Sequence, residues 1–184
     1  MRASGVGDAE VIGEGAVLCP RLLEGDQVGD IVGYGADPEW MVDTVQALVD
    51  RGGLAIYGNH DEAVLRNAQD DNASTKHPHA QAAIDWTRGR LSGSQRAFLA
   101  ALPLSIEDED RLYVHANAWA PTQWGYITNE LAAAQSIAAT KQRVTFCGHL
   151  PEPALYHSNP EGGARHCAPS PGVACPRRSA IAMK

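Results

Sequence analysis

The sequence predicts an α/β fold, on two helix-to-strand units and a hairpin between them. From Asp37 to Arg51 the apolar residues Trp40, Met41, Val45, Leu48 and Val49 recur at helical spacing, Gly52-Gly53 stops the pattern, and the short apolar run Leu54 to Tyr57 follows. A second unit joins the Ala-rich stretch Asn129 to Thr140 to Val144-Thr145-Phe146-Cys147. Between the two units, Leu104 to Ile106 and Leu112 to Val114 flank the acidic segment Glu107 to Asp110, the pattern of two strands and a turn.

Each element has a local cause. Asp37 can accept a hydrogen bond from the free N–H groups of the first helix, and Pro38 fits its first turn, where no N–H is needed. The run Leu54 to Tyr57 is apolar throughout, as in a strand covered on both faces, and it delivers Gly58 to Asp61 as a functional loop. Asp71 to His79 is polar and reads as a loop. Helical patterning resumes from Ala80 to Arg90 through Ala83, Ile84 and Trp86, and from Ser94 to Ala101 through Phe98 and Leu99, with Pro103 as the stop. Beyond Pro160 the chain is rich in Gly, Pro and Arg, and its pattern predicts no helix.

At 184 residues, with 44% hydrophobic and 20% charged residues, the chain has the composition of one globular domain, 1–184. A net charge of -7 without clustered Lys and Arg excludes a general nucleic-acid or membrane-surface binder, so an anionic substrate must be met locally. No apolar stretch of about eighteen residues is present, which excludes a membrane span. Met1 to Gly15 lacks a basic head before an apolar run, so no secretory signal is expected. Cys19, Cys147, Cys167 and Cys175 show no zinc-type spacing and read as reduced thiols, which places the chain in the cytoplasm.

Three apolar runs end in residues able to ligate a metal: Asn59 and His60, then His115, then His149. Strand ends of an α/β sheet gather along one edge, where polar residues far apart in sequence converge. Asp30 joins them from the glycine-bracketed run Gly29-Asp30-Ile31-Val32-Gly33-Tyr34-Gly35. Taken singly, each histidine has a plain structural reading and Asp30 reads as a turn residue. The ordered set carries the signal.

That set resembles the calcineurin-like metallophosphoesterase superfamily, whose pattern is Asp-x-His, Gly-Asp, Gly-Asn-His-Asp/Glu, a lone His, then Gly-His-x-His. Gly29-Asp30, Gly58-Asn59-His60-Asp61, Val114-His115-Ala116 and Gly148-His149 match in order, and the resemblance covers 28–156. The segment Asp30 to Pro38 is similar to the bacterial branch of diadenosine tetraphosphatase-like or Ser/Thr phosphatase-like proteins. The resemblance implies a two-sheet β-sandwich flanked by helices. It implies that Asp30, Asn59, His115 and His149 ligate a divalent metal ion (Mn, Fe, Ni, Co or Zn), one or two per chain. It further implies that metal-bound hydroxide attacks phosphorus, with His60 as acid and Asp61 holding the His60 ring in its charged form. The substrate class would be a phosphate mono- or diester or a nucleotide polyphosphate, carried by a small molecule, a nucleotide or a phosphoprotein.

Two departures modify the expectation. No Asp-x-His occurs anywhere in the chain, Asp8-Ala9-Glu10 being the nearest stand-in, and Pro151 occupies the place of the final histidine in Gly148-His149-Leu150-Pro151. Proline has no side-chain donor for a metal. Both losses fall on the same metal, so the alternative is a single-metal relative that binds phosphorylated ligands with impaired catalysis. Loss of motif at both ends predicts an incomplete N-terminal unit, as in a truncated or frame-disturbed member. Glu152, His157 and His166 are replacement ligands only in principle, and His77-Pro78-His79 reads as a surface pair. Specificity is expected from the loops Asp70 to His79 and Ala118 to Tyr126, where Trp119, Trp124 and Tyr126 would either stack a base or aryl group or pack internally.

Overall fold

The computed structural model describes residues 27–66, 78–151, 153–159, 162–167 and 180–183. Over these residues the chain is α/β with two sheets. Strands β1 (Gln27–Val28) and β2 (Ala55–Ile56) form a short parallel pair. The second sheet has six strands in the order β3-β4-β5-β8-β6-β7. They are β3 (Ser105–Asp108), β4 (Arg111–Val114), β5 (Val144–Cys147), β6 (Ala154–Ser158), β7 (Ala164–Cys167) and β8 (Ala180–Met183). Strands β4, β5 and β8 run parallel, and the hairpin partners β3 and β7 close the two edges antiparallel to their neighbours.

Helices α1 (Pro38–Val49), α2 (Asn59–Leu65), α3 (Pro78–Arg90) and α4 (Gly93–Ala101) pack together around Val42, Val45, Val64, Ile84 and Leu99, while α5 (Glu130–Ala138) covers the larger sheet. Full burial of one such Val or Leu side chain contributes ~1.5–3 kcal/mol relative to exposure. Strand β4 serves both sides of its sheet by alternation. Leu112 and Val114 face the α5 side, whereas Tyr113 packs with Val28 of β1 and Ile56 of β2 and stacks on Phe146 of β5 at 5.3 Å. This alternation joins the small sheet to the large one and brings the ends of β1, β2, β4 and β5 together.

Helix α1 starts as expected, with the Asp37 carboxylate accepting from Trp40 N and Pro38 in its first turn. Its buried stripe is Pro38, Val42 and Val45, with Val49 partly buried, and Trp40 lies on the opposite side, 54% exposed. The expected apolar face is therefore rotated, because a stripe at i, i+4, i+7 and i+11 excludes a residue two positions from its start. Helix α4 is capped reciprocally by Ser92 and Gln95. Helix α3 starts at Pro78, so Pro78 and His79 are helical; the expected loop before them lies outside the described residues.

One sequence expectation is corrected. Gly58 to Asp61 is not a loop: Gly58 is the N-cap of α2, and Asp61, at the third helical position, accepts the Gly58 N–H at 2.9 Å. An acidic third residue satisfies the helix start and suits its positive end. Strand β6 precedes Pro160, and β7 and β8 come from the region beyond it, for which no helix was expected. All three are short; β8 pairs with β5, β6 with β8 and β7 with β6, so their order comes from these pairings rather than from apolar alternation. Among the described residues, no helix is long and apolar enough to cross a membrane.

Candidate metal centre

Asp30 follows β1 in a left-handed conformation, φ 52°, after Gly29 at φ 85°. That conformation is uncommon for a residue with a Cβ, and Asp is among the few that enter it at modest cost. The turn aims the carboxylate at the start of α2, where Asp30 Oδ1 accepts the His60 backbone N–H at 2.9 Å. Gly58 makes this approach feasible. A Cβ at position 58 would collide with the backbone nitrogen and Oδ1 of Asp30.

His115 leaves the end of β4 and is 1% exposed. Its Nδ1 lies 2.8 Å from the Val28 carbonyl oxygen, which can only accept, so Nδ1 carries the proton. In the neutral ring, Nε2 therefore presents a lone pair. That Nε2 stands 2.9 Å from Asn59 Oδ1, 3.1 Å from His149 Nδ1 and 3.3 Å from Asp30 Oδ2. Gly148 N and His149 N both donate to the His115 carbonyl, at 2.9 and 3.1 Å, which locks the end of β5 to the end of β4.

Four acceptor atoms from four segments thus converge on one point. The ligating atoms of Asp30, His115 and His149 all lie within 4.8 Å of one another. Ligands ~2.0–2.4 Å from a single ion stand no more than about 4.8 Å apart, so the cluster has the size of one coordination sphere. Two imidazole nitrogens, a carboxylate and an amide oxygen suit a borderline divalent cation.

The electrostatics follow. Burial pulls the His115 pKa down, but the hydrogen bond and charge of Asp30 outweigh it and raise the net value. Asp30 mirrors this: burial pushes it up, and His115 together with His60 brings it below the ordinary carboxylate range. Burial and the neighbouring His115 push His149 down to about 4, which leaves it a neutral ligand at neutral pH. Burial, helped by the charge of Asp30, pushes Asp61 up to about 7 against the pull of its backbone donors.

Asp30, Asn59, His115 and His149 are brought together, and His60 borders them through its bond to Asp30. Asp61 has a task beyond the one the motif implied. Its fully buried carboxylate accepts from Val32 N at 3.0 Å and from Gly58 N at 2.9 Å, fastening the Asp30 turn to α2. It holds backbone on both sides of the site. His157 and His166 lie on β6 and β7, and neither joins the cluster. Asp8, Glu10, His77 and Glu152 fall outside the described residues.

Sequence patterns missed a brace around the centre. Trp124, at φ 53°, donates its indole N–H to Glu62 Oε2 of α2 at 2.7 Å and meets the His115 ring edge-on at 5.7 Å. Its backbone also hydrogen-bonds His149. One residue therefore touches the α2, β4 and β5 contributions to the site, and its ring is committed to packing. Trp119 packs against the core beneath α5, whereas Tyr126 is 55% exposed and stacks on His149 at 4.1 Å.

No family model matches the chain. It is 35% identical over 104 residues to an uncharacterized protein of Methanocaldococcus jannaschii, a match covering 54% of this chain and 40% of that one. Among solved structures it is similar to a crystal structure of a metallophosphoesterase from Sphaerobacter thermophilus. That likeness has a TM-score of 0.68 and 27% identity, covering 86% of this chain and 63% of the other. The chain thus spans less than two thirds of either relative. Its α/β fold with two sheets matches that of a metallophosphoesterase, and its candidate metal cluster lies where the motif segments meet.

Proposed function

We propose that this chain is a metal-dependent phosphoesterase whose centre holds a divalent cation through Asp30, Asn59, His115 and His149. The observation that carries the reading is the convergence of four lone-pair donors on one point, with the only fixed proton of the His115 ring turned away toward Val28. A bound divalent cation would supply Lewis-acid polarisation of a phosphoryl oxygen and a source of nucleophilic water at neutral pH. The chain's own residues do the rest. Asp30 fixes the start of α2 by accepting the His60 N–H, which holds His60 at the edge of the cluster. As an imidazolium, His60 donates a hydrogen bond to a phosphoryl oxygen and then passes that proton to the leaving oxygen. The substrates are phosphate mono- or diesters or nucleotide polyphosphates.

The test is turnover of a generic aryl phosphate by the purified chain with Mn, Fe, Ni, Co and Zn supplied in turn. Metal-stimulated hydrolysis that falls at least about a hundredfold in Asp30→Ala and His60→Ala is expected. No turnover with any of the five metals would remove the catalytic reading.

A second reading has its own support in Pro151, which stands where the pattern places a further histidine. A centre with one cation would bind a phosphorylated ligand and hydrolyse it slowly, because two ions clamp attacking and leaving oxygens better than one. Elemental analysis separates the two. Two tightly bound metals favour the efficient enzyme, and one favours the binding module.

A further inference from the structure

Two exposed tyrosines border the metal cluster, and neither belongs to its donor set. Tyr34 is 58% exposed, and its ring lies 4.3 Å from the His60 ring. Tyr126 is 55% exposed and stacks almost parallel on the His149 ring, 4.1 Å away with 10° between the planes. Each therefore covers a site histidine with one face and leaves the rest of its ring to solvent. They stand on different segments, one following the Asp30 turn and the other following Trp124.

Both rings are held by anchored backbone. Gly33, beside Tyr34, approaches His60 so closely that a Cβ there would stand 2.8 Å from the His60 Cβ and Nδ1. Gly125, beside Tyr126, has its carbonyl oxygen held at 2.8 Å by Nδ2 of the fully buried Asn117, and the next residue, Ile127, is 1% exposed. The hydroxyl of Tyr34 is raised above its usual pKa by partial burial, then by the charge of Asp30 and by Tyr126. A single exposed aromatic needs no explanation, but two fixed ones converging on one charged site do.

We infer that Tyr34 and Tyr126 form an aromatic clamp that selects phosphate esters whose alcohol part carries a planar aromatic ring. The inference rests on the phosphoesterase reading of the cluster and names the substrate class that cluster would take. A phosphoryl group addressed by His60 places the ester's alcohol part at the mouth of the site, where the open tyrosine surfaces lie. Stacking of a ring on an aromatic side chain is worth ~1–3 kcal/mol per ring, which is a discrimination of roughly five- to a hundredfold. Nucleotides and simple aryl phosphates share this chemistry and differ in reach.

Calorimetric titration of the full chain loaded with Mn tests the clamp, with inorganic phosphate, ribose 5-phosphate, AMP and phenyl phosphate as probes. AMP or phenyl phosphate is expected to bind about tenfold tighter than ribose 5-phosphate. An advantage for AMP alone identifies nucleotides as the source of the ring, and one for phenyl phosphate alone identifies aryl esters. In Tyr34→Ala and in Tyr126→Ala that ratio should fall toward one, while Tyr34→Phe and Tyr126→Phe preserve it. If both alanine variants weaken all four probes in proportion, the tyrosines are props for His60 and His149, and the clamp is wrong. Phosphate binding with no preference for ring-bearing esters sinks the clamp alone. Absence of metal-dependent binding of inorganic phosphate sinks the phosphoesterase reading and the clamp with it.

Discussion

Asp61 illustrates how a motif residue can be visible in sequence while the backbone it fastens is not. Adjacency to His60 suggested support of that ring, yet its carboxylate serves Gly58 and, across 29 residues, Val32. A hydrogen bond to a backbone N–H contributes ~0.5–1.5 kcal/mol, and a buried donor left without its acceptor costs ~1–3 kcal/mol. Asp61→Asn keeps one amide oxygen but sets an NH2 group against the other backbone donor. Urea denaturation should show a loss of about 2 kcal/mol or more in that variant. A variant of unchanged stability that loses only turnover would return Asp61 to the His60 ring. The residues of the candidate cluster were legible because each follows a glycine or ends a strand in a recognisable order. Tyr34 was not, since nothing in an exposed Gly-Tyr-Gly segment announces which ring it will meet.

At the scale of elements, the start of α2 and the loop carrying Trp124 form one unit. Glu62 of α2 accepts from the Trp124 indole while Arg66 holds the other Glu62 oxygen at 2.8 Å. Groups that orient metal ligands without touching the ion alter affinity by about ten- to a hundredfold. Trp124→Phe and Glu62→Ala should each weaken Mn binding by about tenfold in calorimetry, and Glu62→Gln, which still accepts, should recover most of it. Equal affinity in all three variants would show that the brace is ornamental to the centre. The helix-to-strand units, the hairpin and the caps were readable because their causes are local, within four residues. The Trp124–Glu62 bond spans 62 residues, and β8 is ordered by pairing with the distant β5 and β6; no local pattern encodes either.

Across the whole molecule, the donors come from both sheets and from α2, so a cation would tie the helical cluster around Leu99 to the sheet covered by α5. A ligand that binds only the folded state at a hundred times its dissociation constant stabilises it by ~2.7 kcal/mol. Thermal denaturation with saturating Mn should therefore move the midpoint up by several degrees, and a chelator should reverse the gain. Asp30→Asn should abolish the shift. A midpoint indifferent to metal in the unmodified chain would mean that the cluster does not bind Mn in the folded state.

The anchoring of His115 by Val28 has a consequence for the order of folding. Their bond closes 87 residues of chain, and the contacts of His115 with Asn59 and His149 close 56 and 34 more. Contacts so distant in sequence carry a loop-closure cost that neighbours along a helix do not, and they form late. During refolding, helical signal should return before the chain can capture Mn. The centre is then a certificate of completed topology, because only a chain with both halves in register can present it.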